Sequence, residues 1–199
     1  MLKLGASLLA LVAVVAGVVW ISRSLTDSPE EQAYGYFLRD VATVEAMGLP
    51  VYWLGREFTV DGLVFRGPHV AGFGAEVEGG GVAMTYLASV DGGNTRLRLT
   101  VYSRDAWELV KDSMMNPRLP GVTRRTVSVQ GRDGDMILQS AGARPLNAIW
   151  LVLDLSDVVV VAAANSGGPV SPGGPDYNSF INNPNLLIQV MEDLRPYPE

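Results

Sequence analysis

The chain has 199 residues, a formal charge of −6, one histidine and no cysteine. A net acidic chain with few basic clusters argues against nucleic acid, whose phosphates need concentrated Lys and Arg. The missing cysteines exclude disulfides, thiolate metal sites, cysteine nucleophiles and a lipoprotein anchor together.

The chain opens on Leu4 to Ile21, an uncharged apolar run set between Lys3 and Arg23. About 18 such residues reach the lower limit for crossing a bilayer as a helix. The run is longer than the core of a cleaved secretory signal, and it ends in Val18, Val19, Trp20 and Ile21 rather than in a small-residue cleavage site. Residues 1–23 are therefore expected to be a single-pass transmembrane anchor, with a cleaved signal as the alternative. The basic flanks place the N-terminus in the cytoplasm and the remainder on the extracytoplasmic side. The roughly 175 residues that follow are enough for one domain with a substantial core.

Residues 24–49 read as a juxtamembrane helix. Ser28 caps it, Pro29 fits its first turn, and Glu31 closes a capping box. Ala33, Tyr36, Phe37, Val41, Val44 and Met47 recur at helical spacing before Gly48 and Pro50 stop it. Such a stripe packs against its own domain or lies on the membrane surface.

Residues 50–199 read as an α+β domain. Pro50 to Phe58 is an aromatic strand broken at Gly55; Phe58 to Phe65 and Val70 to Phe73 are short strands parted by Asp61-Gly62 and Gly67-Pro68 turns. Glu78 to Gly81 is a flexible join. Val82 to Val90 and Arg96 to Ser103 form a hairpin. In the second strand Leu97, Leu99 and Val101 alternate with Arg98 and Thr100, which predicts one buried and one solvated face. A helix follows from Arg104 to Met115 with Trp107, Val110 and Met114 inward.

The second half repeats this order. Val122 to Gln130 and Met136 to Ser140 flank a hairpin at Gly131 to Gly134. Ala148 to Leu155 and Val158 to Ala164 lack alternation, as expected of central strands covered on both faces. Gly167 to Pro175 is a Gly/Pro loop, and Asn185 to Leu194 is a helix ended by Pro196. The pattern predicts an antiparallel sheet behind a transmembrane helix, with helices packed on one side, built from two ββα units at Val82 to Met115 and Ala148 to Leu194.

The segment Pro50-Val51-Tyr52-Trp53-Leu54-Gly55, with Phe58 and Gly62-Leu63 after it and a helix closing on Leu194-Arg195-Pro196, resembles uncharacterised bacterial envelope proteins of actinobacterial type. The resemblance implies a membrane-anchored or secreted location and carries no activity, cofactor or site residue.

The residues that chemistry would need are sparse. His69 follows Gly67-Pro68 in a turn; Ser166 is its only suggested nucleophile, without a Gly-x-Ser-x-Gly elbow. Asp133 with Asp135, and Asp154 with Asp157, supply two carboxylates each where a calcium loop needs more oxygen ligands. Glu57, Asp61, Glu76 and Glu78 are candidate acid–base pairs for an envelope hydrolase. Arg124, Arg125 and Arg132 suggest an anionic head group or a solvated strand face. The Gly167 to Pro175 loop, with Tyr177 and Phe180, is a candidate contact surface. No catalytic, cofactor-binding or metal residue is assigned. The expected function is a membrane-anchored extracytoplasmic binding or accessory protein without catalytic activity, touching lipid through its N-terminal segment and a protein partner in the envelope. The alternatives are that hydrolase and a cleaved, secreted binding domain.

Overall fold

The computed structural model describes residues 37–39, 41–43, 45–46, 48–73, 80–90, 93–114, 121–140, 148–165 and 179–198. Ten strands account for most of them. They are β1 (Val51–Trp53), β2 (Glu57–Val60), β3 (Leu63–Phe73), β4 (Gly81–Val90), β5 (Gly93–Ser103), β6 (Val122–Val129), β7 (Arg132–Gln139), β8 (Ala148–Asp154), β9 (Val158–Asn165) and β10 (Arg195–Tyr197). Three helices join them: α1 (Arg104–Met114), α2 (Ser179–Asn182) and α3 (Asn185–Glu192). Residues 37–39, 41–43 and 45–46 are also helical.

Tight turns set the strand pairing. Asp61 and Gly62 both take positive φ, 52° and 74°, as a two-residue hairpin of type I′ demands. Gln130 and Gly131 do the same between β6 and β7, at 51° and 70°. The second hairpin loop is thus two residues, shorter than the four-residue loop expected at Gly131 to Gly134. The chain also runs through Gly67-Pro68 without ending a strand: β3 is continuous from Leu63 to Phe73, with register shifts between Arg66 and His69 and between Val70 and Gly72. Gly67 is needed there because a Cβ would lie 2.8 Å from the Thr85 carbonyl oxygen of β4.

Eight strands form one antiparallel sheet in the order β2-β3-β4-β5-β9-β8-β7-β6. Two four-stranded meanders therefore meet at the β5–β9 pair, where Arg98 faces Ala163 and Val101 faces Val160. β1 and β10 make a separate two-stranded ribbon, Val51 opposite Tyr197 and Trp53 opposite Arg195.

Each face of the large sheet carries apolar residues. On one face Val82, Met84, Tyr86, Leu97, Leu99, Leu151, Val158 and Val160 pack with Phe180, Leu187, Val190 and Met191 of α2 and α3. Phe37 and Val41 join this core, fully buried, although they lie in the expected juxtamembrane segment. Phe37 stacks on Trp53 at 5.6 Å, and Tyr197 meets both rings edge-on at 5.3 and 4.9 Å. On the other face Ala83, Tyr102, Ile137, Val152, Val159 and Val161 pack against Ala106, Trp107 and Val110 of α1.

The expected α+β architecture is corrected accordingly. The body is mostly antiparallel β-sheet with a few short helices, and those helices lie on both faces, not on one side. The reason is β9: Val158, Val160 and Ala162 point one way and Val159 and Val161 the other, all at most 1% exposed, so water must be excluded from both sides. The repeating unit is four strands followed by helix, longer than the ββα expected. The expected N-terminal transmembrane helix, at residues 4–21, lies outside the described residues, and among the described residues no helix is long and apolar enough to cross a membrane.

Candidate functional site

Helix α1 is 11 residues long and covers only part of its sheet face. Ser103 starts it, its Oγ accepting from the Ala106 N–H at 3.1 Å. Arg104 ties the helix start to the β8–β9 turn, donating from Nε to the Ser156 carbonyl at 2.8 Å and from Nη1 to Asp154 Oδ2 at 2.8 Å. Cross-strand pairing brings His69, Thr85, Arg98, Ala163, Trp150, Ile137 and Arg124 into one row from β3 to β6.

A groove of about 190 Å³ lies where this row meets α1. Val161 and Ala163 of β9 lie among its lining, with Tyr102 and Thr100 of β5, Trp150 of β8 and Met114 of α1; Arg98 stands at its exposed end. Thr100 is 4% exposed, and its hydroxyl has no partner among the described residues. Nor does the Arg98 guanidinium. The arrangement joins an aromatic and aliphatic trough to an uncommitted donor and a positive charge.

Chemically, that is a binding arrangement. An arginine fork is a donor set without an acceptor, and Thr100, Tyr102 and Trp150 add a hydroxyl and ring surfaces. The alternation of Arg98 and Thr100 was visible in the sequence, but it predicted a solvated face. Burial of Thr100 and the approach of Met114 and Trp150 follow from tertiary pairing.

The residues singled out in the sequence fall elsewhere. His69 lines a second, smaller cleft of about 120 Å³ with Arg56, Glu57, Arg66 and Gly67 at the β2–β3 edge. Ser166, Glu76, Glu78, Gly167 to Pro175 and Tyr177 lie outside the described residues. Glu57 is ion-paired with Arg66 at 3.1 Å, and both are largely exposed. Asp61 occupies its hairpin turn. Asp135 takes both Nε and Nη2 of Arg124, at 2.9 and 2.5 Å. Asp154 is gripped by Arg104 and also accepts from the Ser156 N–H at 2.9 Å. The hydrogen bond from Arg104, then that backbone amide, hold its carboxyl below the usual range, so it stays ionised. Among the described residues no group of three or more His, Asp or Glu is placed to hold a metal ion. Arg125 reaches Met136 Sδ at 3.0 Å and Asn185 Oδ1 at 2.8 Å, which joins β6 to α3. Phe180 is buried in the core against Phe65, with ring centroids 5.4 Å apart, and is no surface contact.

No family model, no curated protein and no solved structure matches the chain.

Proposed function

We propose that the protein is a binding or accessory module of a bacterial envelope, held at the membrane by its apolar leading segment and working without catalysis. The observation that carries this reading is the groove beside α1, with its aromatic lining, unpartnered Thr100 hydroxyl and exposed Arg98. The apolar run 4–21 and the resemblance of Pro50 to Gly55 to envelope proteins support the location. The acidic side chains Glu57, Asp135 and Asp154 are each held by an arginine, which suits structural pairs better than a general acid.

Protease shaving of intact cells tests the location. The body is expected to be cut from outside; a fully protected body overturns the orientation. A photo-crosslinking residue tests binding in the membrane-held chain. Placed at Arg96, two positions along β5 from Arg98, it should give an adduct. Placed at Leu109, which is 73% exposed on α1, it should give none. Equal yields, or no adduct at Arg96, overturn the reading.

A further inference from the structure

We infer that the groove is a site for a small organic monocarboxylate with a single-ring apolar body. The inference deepens the proposed binding role and rests on it. Three features of the groove converge on this chemistry. A volume of about 190 Å³ lies below the range of sites for drug-sized ligands, so the occupant is one ring rather than a long chain. The lining sets Trp150, Tyr102 and Met114 around Val161 and Ala163, surfaces that suit the face of an aromatic ring and its contact with a thioether. At the open end Arg98 has no carboxylate partner among the described residues, whereas Arg66, Arg104 and Arg124 each have one. A guanidinium fork matches a carboxylate in two parallel hydrogen bonds.

Thr100 is the second, independent observation. It is 96% removed from solvent by its 4% exposure, lines the groove, and leaves its hydroxyl without a hydrogen bond among the described residues. Trp53 Nε1 is the one fully buried side-chain polar atom without a hydrogen bond among the described residues, so the Thr100 hydroxyl is reachable from the groove and a ligand there can supply its partner. A carboxylate oxygen held by Arg98, one alternation along the same face of β5, is placed to do so. Arg96, exposed on the same face, adds positive potential at the entrance. The net effect is a cationic mouth on a chain whose total charge is −6.

The test uses the full chain in lipid nanodiscs and isothermal titration with three probes: 3-phenylpropionate, its neutral isostere 3-phenylpropanol, and inorganic phosphate. Saturable binding of 3-phenylpropionate is expected, at least tenfold tighter than the alcohol, with phosphate weaker than both. Arg98→Gln should weaken the carboxylate at least tenfold and leave the alcohol unchanged. Thr100→Val should weaken the carboxylate several-fold while the melting temperature stays the same or rises, an outcome a merely structural threonine would not give. Equal binding of acid and alcohol, or an unaltered acid affinity in Arg98→Gln, overturns the inference. So does preference for phosphate. Absence of all binding overturns it too, and if Arg96 still crosslinks to a protein, the binding role survives with a macromolecular ligand in place of the carboxylate.

Discussion

Tyr86 is the side chain through which the Pro50 to Gly55 segment is fastened to the sheet, and Tyr86→Phe isolates that link. The phenol is fully buried on β4 and its oxygen accepts the Leu54 N–H at 3.0 Å. Its ring meets Phe58 edge-on at 5.3 Å, a contact that phenylalanine keeps. Only the oxygen is lost. Leu54 is 2% exposed, so its N–H would be left buried without its acceptor. An unsatisfied buried donor costs about 1–3 kcal/mol. For a chain of this length each kcal/mol lowers the melting temperature by about 2–4 °C, so the variant should melt roughly 2–12 °C lower. Urea unfolding should show the same loss as a lower midpoint with unchanged slope. Burial pushes the Tyr86 phenol far above its usual value, against smaller opposing effects of the Leu54 hydrogen bond and the Arg195 charge. The folded state therefore holds its proton where the unfolded chain gives it up. Wild-type stability from this group is intact below about pH 10 and falls as pH rises above it. Phenylalanine has no proton to lose, so the gap between the two proteins should narrow above about pH 10. A difference within about 0.5 kcal/mol at pH 7, the range of an ordinary surface change, would refute the reasoning.

Two glycines separate strain from clash. At Gly81 φ is 155° and a Cβ would lie 2.2 Å from the Val101 carbonyl oxygen, so Gly81→Ala should cost about 4 kcal/mol or more by chemical denaturation. At Gly62 φ is 74° with nothing within 4 Å, so Gly62→Ala should cost only the left-handed backbone, about 1–2 kcal/mol; equal losses at the two sites would show that the close approach to β5 is not felt. Gln130 keeps a φ of 51° because its side-chain amide reaches the Met191, Glu192 and Leu194 carbonyls at the end of α3, at 3.3, 3.0 and 2.7 Å. Gln130→Ala should lose those caps and keep the strain, whereas Gln130→Gly loses the caps alone and should be more stable than the alanine variant by about 1 kcal/mol in urea unfolding. Asp154 is held below the usual carboxylate range by Arg104, so its contribution to stability is present above the unfolded value near pH 4 and is lost as pH falls through the folded value. Urea midpoints of wild type and Asp154→Asn should differ at pH 7 and converge at pH 2; a constant gap would mean that the ion pair is not the source.

Part of this was legible along the chain because it is decided within a few residues. Asp61-Gly62 specifies a hairpin since both positions need positive φ. Trp107, Val110 and Met114 mark the inward side of α1 by spacing alone, and the unbroken apolar run of β9 declares a strand with no wet face. The rest depends on which distant segments meet. β1 pairs with β10 across nearly the whole chain, Val51 beside Tyr197, a register no local pattern carries. Covering both faces of β9 requires helices on both sides, but which helix crosses to which face is settled by how the chain leaves β5 and β9. The groove exists only because pairing of β5 with β9 and of β9 with β8 sets Arg98 beside Ala163 and Ala163 beside Trp150. Local periodicity tells a side chain which way to point; the free energy of burying two faces at once decides what it then meets.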